Sequence, residues 1–209
     1  MAKIVNVPAR ALVSYVLHPT ARLLLRLGVT PNAVTVAGTV GVLIGALGFG
    51  ARGELFWGTV IVTASALTDA LDGTMARLRG PAGKFGALLD SSMDRIADGA
   101  IFASLAYWLF TTGESGAAVG ALLVLVTSQV ISYVRARAEA LGLTANVGLI
   151  ERPERLIGIG VGGLCAGFGW PVGMYIVLWV LGVLSVVTVG QRFVHVYRQA
   201  NAAPQAAPE

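Results

Sequence analysis

The sequence predicts an all-α polytopic membrane protein, with six transmembrane helices plus an N-terminal interfacial amphipathic helix. Three observations carry this expectation. The 209 residues are 56% hydrophobic and only 12% charged, about half the roughly 25% charge of an ordinary soluble domain. Mean hydropathy is +0.75. Apolar stretches near the ~20 residues needed to cross a hydrocarbon core recur along the chain, joined by short polar or glycine-containing links.

The elements follow in order. Residues 1–30 read as an interfacial segment. Pro8 suits a first helical turn, where its missing N–H is no loss. Arg10, Ser14, His18, Arg22 and Arg26 recur every four residues as a polar line, a pattern that fits a helix lying on the membrane surface, with a break expected at Pro19. Six spans are predicted at about 33–51, 55–77, 87–110, 116–138, 155–170 and 172–194. The tail 201–209 reads as disordered. No apolar core followed by a small-residue cleavage site opens the chain, so the first long apolar run is expected to be a retained span. Many of the 27 glycines fall inside spans, including Gly38, Gly41, Gly45 and Gly48, where small residues let helices approach closely. The single cysteine, Cys165, reads as a small packing residue.

Charge sets the orientation. Of the fifteen lysines and arginines, Arg52 alone falls on the side of the links at 51–54, 111–115 and 169–173. The others, from Lys3 to Arg198, belong to the opposite side. The positive-inside rule makes that side cytoplasmic and puts both termini there, in a cell membrane. The formal net charge of +4 then reflects orientation and contact with anionic membrane lipids, and no nucleic-acid partner is expected.

The chemistry concentrates between residues 69 and 94. Asp69 and Asp72 are three apart; Asp90 and Asp94 are four apart. On helices, each pair shares one face. Positions 69, 72, 73 and 76 form one such face, and Gly86, Asp90 and Asp94 form another. Carboxylates inside apolar spans are costly and point to function. Hard oxygen donors suit Mg²⁺, Mn²⁺ or Ca²⁺, and four carboxylates suffice for two ions. Arg77 and Arg95 are too few to neutralise all four. Gly73 and Gly86 stand where glycine costs up to about 1 kcal/mol relative to alanine. Either a ligand approaching the backbone or tight helix packing would account for them. A cation transporter is a reading of a different class, but transporter sites lie near the bilayer midplane, whereas these aspartates lie near the cytoplasmic ends of their spans.

Arg135 and Arg137 end the fourth span, Arg152 and Arg155 open the fifth, and Arg192 and His195 end the sixth. Arginine suits phosphate, so Arg135, Arg137, Arg155 and Arg192 are candidates for holding a phosphate-bearing ligand.

The order Asp69-x2-Asp72-Gly73-x2-Ala76-Arg77-x8-Gly86-x3-Asp90-x3-Asp94 resembles, at all eight positions, the signature of the CDP-alcohol phosphotransferases. The segments Thr30–Thr35, GKFGALLDSSMDR and SYVRARAEALGL…VGLIERPERL resemble the actinobacterial phosphatidylinositol phosphate synthases. The resemblance implies one catalytic membrane domain over 1–200, a homodimer, and metal-dependent transfer of a phosphatidyl group from CDP-diacylglycerol to inositol 1-phosphate, releasing CMP. Glycerol 3-phosphate is the alternative acceptor. It further implies that Asp69, Asp72 and Asp90 bind one ion and that Asp69, Asp90 and Asp94 share a second, Mg²⁺ or Mn²⁺. Asp94 would be the general base. Asn32, Thr35, Gly73, Ala76, Arg77, Gly83 and Gly86 would line the CDP-diacylglycerol pocket. Many family members carry Thr or Ser where this chain has Gly83, which leaves a backbone contact there.

Overall fold

The computed structural model describes residues 7–79 and 83–202, and among them every regular element is helical. Lys3 and the tail from 203 lie outside the described residues, as do the side chains of Arg10 and Ser14. The helices are α1 (Val7–Arg26), α2 (Pro31–Leu43), α3 (Leu55–Ala66), α4 (Thr68–Arg79), α5 (Lys84–Thr111), α6 (Ser115–Ala140), α7 (Arg152–Gly167) and α8 (Pro171–Ala200). Three helical stretches are long and apolar enough to cross a membrane: Pro31–Arg52, α6 and α8. The chain divides into two compact units. One holds the described residues through Gly50 together with Trp57–Ile101. The other holds Ala51–Phe56 and the described residues from Phe102 onward.

In the first unit, α4 packs against both α1 and α2. Its core is Ala21 of α1, Val34 of α2 and Met75 of α4, flanked by Leu24, Leu25, Val29 and Leu71. His18, Arg22 and Arg26 stay exposed, as the polar line of α1 requires. The expected break at Pro19 does not occur: α1 runs through it. Proline removes one backbone donor, and packing of the following turn against α4 holds the helix together beyond it.

The first predicted span has three parts. Thr30 caps α2, its Oγ1 accepting from the Ala33 N–H at 3.2 Å, with Pro31 in the first turn. This is the expected helix-start chemistry. Beyond Leu43 the backbone widens into a π-helix over Ile44–Phe49, then tightens into a 3₁₀ turn over Gly50–Arg52. The wide turn lies against α3. A Cβ on Gly45 would sit 2.9 Å from Val62 Cγ2, and one on Gly58 would sit 3.0 Å from the Gly45 carbonyl. Two facing glycines thus bring backbone against backbone.

The second predicted span, 55–77, is also corrected. It is two helices, interrupted at Leu67. There Thr68 Oγ1 donates to the Ser65 carbonyl at 2.6 Å, and the Leu67 carbonyl accepts from Ala70 N–H at 3.2 Å, an i+3 bond that tightens the turn. The interruption starts a new helix whose first turn carries Asp69, where the helix dipole favours a negative charge. Gly38 of α2 meets this corner: a Cβ there would run into the Thr68 hydroxyl.

In the second unit, α8 packs against α6 and α7. Gly173, Met174, Leu178, Leu181, Gly182, Ser185, Thr188 and Arg192 form its buried seam at three- and four-residue spacing. Glycines again fix the approach: a Cβ on Gly158 would lie 3.1 Å from Leu181 Cδ2, and one on Gly182 would lie 3.0 Å from Leu123 Cδ2. Cys165 does pack, its Cβ 2.9 Å from where a Gly173 Cβ would stand. The fifth predicted span shifts: α7 begins at Arg152 and ends at Gly167. Glu151 and Glu154 form a reciprocal capping box that starts the helix before the apolar run. The sixth extends to Ala200.

Gly38→Ala is expected to lower stability by about 1–3 kcal/mol, because the Thr68 corner must move. Gly160→Ala, with no heavy atom within 4 Å of its added Cβ, should leave stability unchanged or raise it. Thermal unfolding of the purified proteins in one detergent checks the pair.

Candidate active site

A cavity of about 630 Å³ opens in the first unit, between the start of α2, one face of α4 and the start of α5. Helix α4 contributes Asp72, Gly73, Ala76 and Arg79; α5 contributes Phe85, Gly86, Ala87 and Asp90. Thr30, Pro31, Asn32 and Thr35 close the third side, and Gly83 lines the approach. Asp72, Gly73 and Ala76 are three of the four α4 positions expected to share a face, and Gly86 and Asp90 are one turn apart on α5.

Asp72 is the fixed point of this site. It is 6% exposed, and its Oδ2 accepts a hydrogen bond of 2.5 Å from Thr35 Oγ1. The same hydroxyl lies 3.1 Å from the Pro31 carbonyl. A buried carboxylate needs such partners. The charges of Asp90 and Asp69 lie near enough to act on Asp72. Three of the four aspartates are therefore neighbours in charge, and two of them line one cavity. Asp94, one turn beyond Asp90, faces Arg95, with Arg95 Nη2 3.7 Å from Asp94 Oδ2. Among the described residues no three acidic, histidine or cysteine side chains form a ready-made ligand cluster. The donor chemistry still fits a hard cation: carboxylates are grouped at one end of two helices, and neither His18 nor His195 lines the cavity.

The glycines at the cavity differ from those in the seams. A Cβ on Gly73 would meet only Arg77 Nη1, at 3.6 Å; one on Gly86 would meet only Asn32 Oδ1, at 3.4 Å; one on Gly83 would meet nothing within 4 Å. Helix packing does not require these three glycines. A methyl at Gly73 or Gly86 would instead narrow the cavity, so the residues favour a ligand lying against the backbone.

Asn32, Thr35, Gly73, Ala76, Gly83 and Gly86 all line the cavity. Asp69, Asp94 and Arg77 stand outside its lining. Arg77 Nη2 donates to Thr74 Oγ1 at 3.0 Å, and Thr74 in turn donates to the Ala70 carbonyl at 2.7 Å. Arg79 and Phe85 were not among the expected site residues. Arg79 was readable, because 72, 76 and 79 repeat at helical spacing. Phe85 carried no such signal.

The four candidate acceptor arginines belong to the second unit and differ in state. Arg135 is exposed and pairs with Glu139 at 3.0 Å, one helical turn away. Arg137 is exposed. Arg155 is 1% exposed and Arg192 is 2% exposed. Arg192 donates through Nη1 to the Ile131 carbonyl at 2.7 Å and through Nε to the Val147 carbonyl at 3.0 Å. Its Nη2 lies 3.6 Å from Glu151.

Known proteins resemble this arrangement closely. The CDP-alcohol phosphatidyltransferase family matches residues 28–188. The phosphatidylinositol phosphate synthase of Mycobacteroides abscessus is 51% identical over 179 residues, which cover 84% of this chain and 80% of that one. The crystal structure of Mycobacterium tuberculosis phosphatidylinositol phosphate synthase with CDP-DAG bound aligns with a TM-score of 0.85 at 43% identity, covering 93% of this chain and 98% of that one. The same enzyme in complex with manganese and citrate aligns with a TM-score of 0.84 at 43% identity, covering 92% of this chain and 93% of that one. The glycine-lined, carboxylate-bearing cavity and these similarities converge: the chain belongs to the CDP-alcohol phosphatidyltransferase family and is an enzyme of that type.

Proposed function

We propose that the protein transfers a phosphatidyl group from CDP-diacylglycerol to a hydroxyl of inositol 1-phosphate, giving phosphatidylinositol phosphate and CMP. The observation that carries this reading is the cavity beside Asp72 and Asp90, floored by glycines that helix packing does not require. Its shape suits a nucleotide diphosphate lying against the backbone, and the relatives named above favour CDP-diacylglycerol as the donor. Asn32, Thr35, Gly73, Ala76, Gly83 and Gly86 would line the cytidine and diphosphate. Arg77 would join them from the same helix, and Arg79 offers a second cation at the cavity wall.

Asp69, Asp72, Asp90 and Asp94 would hold two divalent ions, Mg²⁺ with Mn²⁺ as the alternative. Bound there, the ions offset the diphosphate charge and the charge that develops on the leaving CMP. Asp94 takes the proton from the acceptor hydroxyl. The acceptor oxygen forms its bond to the β-phosphorus as the bond from that phosphorus to the CMP oxygen breaks. No covalent enzyme intermediate is needed. Arg137 and Arg155, with Arg135 and Arg192, would bind the acceptor phosphate. Both inositol 1-phosphate and glycerol 3-phosphate carry the phosphate these arginines would read, and it is the identity to phosphatidylinositol phosphate synthases that favours the former.

The membrane arrangement belongs to the same reading. Six crossings by α2, α3–α4, α5, α6, α7 and α8 put both termini and the cavity on the cytoplasmic side, where the soluble acceptor and CMP are found, with α1 at the interface. The family resemblance supports a homodimer.

Three outcomes are expected. Purified protein given CDP-diacylglycerol should release CMP with inositol 1-phosphate; release with glycerol 3-phosphate alone sinks the acceptor assignment. Chelation of divalent ions should abolish that release, and added Mg²⁺ should restore it. Asp94→Asn should slow transfer by about 10²–10⁴-fold while CDP-diacylglycerol binding largely survives, and undiminished turnover in this variant removes Asp94 as the base.

A further inference from the structure

Between α6 and α7 the chain runs without helix from about 143 to 151, so its backbone groups need partners from outside the segment. They find them on α8. Thr188 is fully buried. Its Oγ1 accepts from two consecutive N–H groups, Leu149 and Ile150, each at 3.2 Å, and donates to the Leu184 carbonyl at 2.8 Å. A threonine hydroxyl has one donor and two acceptor positions, so this one is fully used and has none left for a ligand. One turn further along, Arg192 holds the Val147 carbonyl at 3.0 Å. At the start of the same segment, Gln199 accepts from the Thr144 N–H at 3.1 Å and donates to the Thr144 carbonyl at 2.6 Å.

The fit at Thr188 is two-sided. Gly148 has φ +148°, and a Cβ there would lie 2.5 Å from Thr188 Cγ2. The methyl of Thr188 therefore presses on a residue that has no room for a side chain, while its hydroxyl holds the next two amides. Glu151 follows at once as the cap of α7, and Arg155 lies in that helix's first turns.

We infer that Thr188 is a positioning residue for acceptor recognition: it fixes Leu149 and Ile150, hence the start of α7, hence the placement of Arg155. The inference rests on the proposed role of Arg155 in binding the acceptor phosphate. Thr188 itself touches no substrate.

The test uses full-length protein in lipid nanodiscs, with CMP release measured against inositol 1-phosphate and CDP-diacylglycerol in turn. Thr188→Val keeps the shape and loses the hydroxyl. All three of those hydrogen bonds are lost, and the acceptor KM is expected to rise by about tenfold or more, with the CDP-diacylglycerol KM within about twofold of wild type. Thr188→Ser, which restores the hydroxyl, should recover most of the loss. Arg155→Gln runs in parallel and should also raise the acceptor KM. If Arg155→Gln raises it and Thr188→Val does not, the positioning role falls and the acceptor reading stands. If Arg155→Gln leaves it unchanged, the acceptor reading falls and takes the positioning role with it. Parallel losses for both substrates in Thr188→Val, not recovered by Thr188→Ser, mark a general packing defect and also overturn the inference. Should Thr188→Val fail to fold, Thr188→Ala, which also removes the hydroxyl, carries the test. The same rise in acceptor KM is expected there, and an unchanged value overturns the inference.

Discussion

The hydrogen bond from Thr35 to Asp72 is the interaction on which the first unit depends. A carboxylate buried among apolar helices is costly unless a partner meets it. The partner comes from a different helix, so α2 and α4 must approach closely and in one register. The remaining features of the unit serve that approach. Thr30 and Pro31 start α2 two short steps before Thr35. Gly38 lets the helix close on the Thr68 corner. Ala21, Val34 and Met75 fill the space between α1, α2 and α4. Packing supplies the approach, and the polar contact selects its register.

The second unit solves a related problem with different groups. Its long link has no secondary structure, yet Ala145 and Ile150 are buried. Thr188, Arg192 and Gln199 are polar residues of a strongly apolar helix, and each holds backbone of that link. A helix that looks built for lipid contact thus carries a polar edge facing inward. This edge explains why Arg192 is buried.

The sequence made some of this readable and hid the rest, for physical reasons. Helical periodicity is local, so the face of Asp72, Gly73 and Ala76 could be read directly, and Asn32 and Thr35 followed from their resemblance to known motifs. The interruption at Leu67 could not be read, because it depends on Gly38 and on a threonine bond within an apolar run that contains no proline. The π-helix over Ile44–Phe49 depends on Gly58, distant in sequence. The continuation of α1 through Pro19 depends on α4. Composition also could not separate the glycines of the seams from those of the cavity; only the neighbours of a hypothetical Cβ do so. Gly38 has such neighbours and Gly83 has none.

The interruption at Leu67 divides the labour within one apolar stretch. Helix α3 carries exposed apolar residues such as Trp57 and Val60, and α4 carries the carboxylates. Each is seated by its own contacts, α3 on the turn at Gly45 and α4 on α1 and α2. Sequence change at the exposed positions of α3 can therefore proceed without disturbing the contacts that set the aspartates.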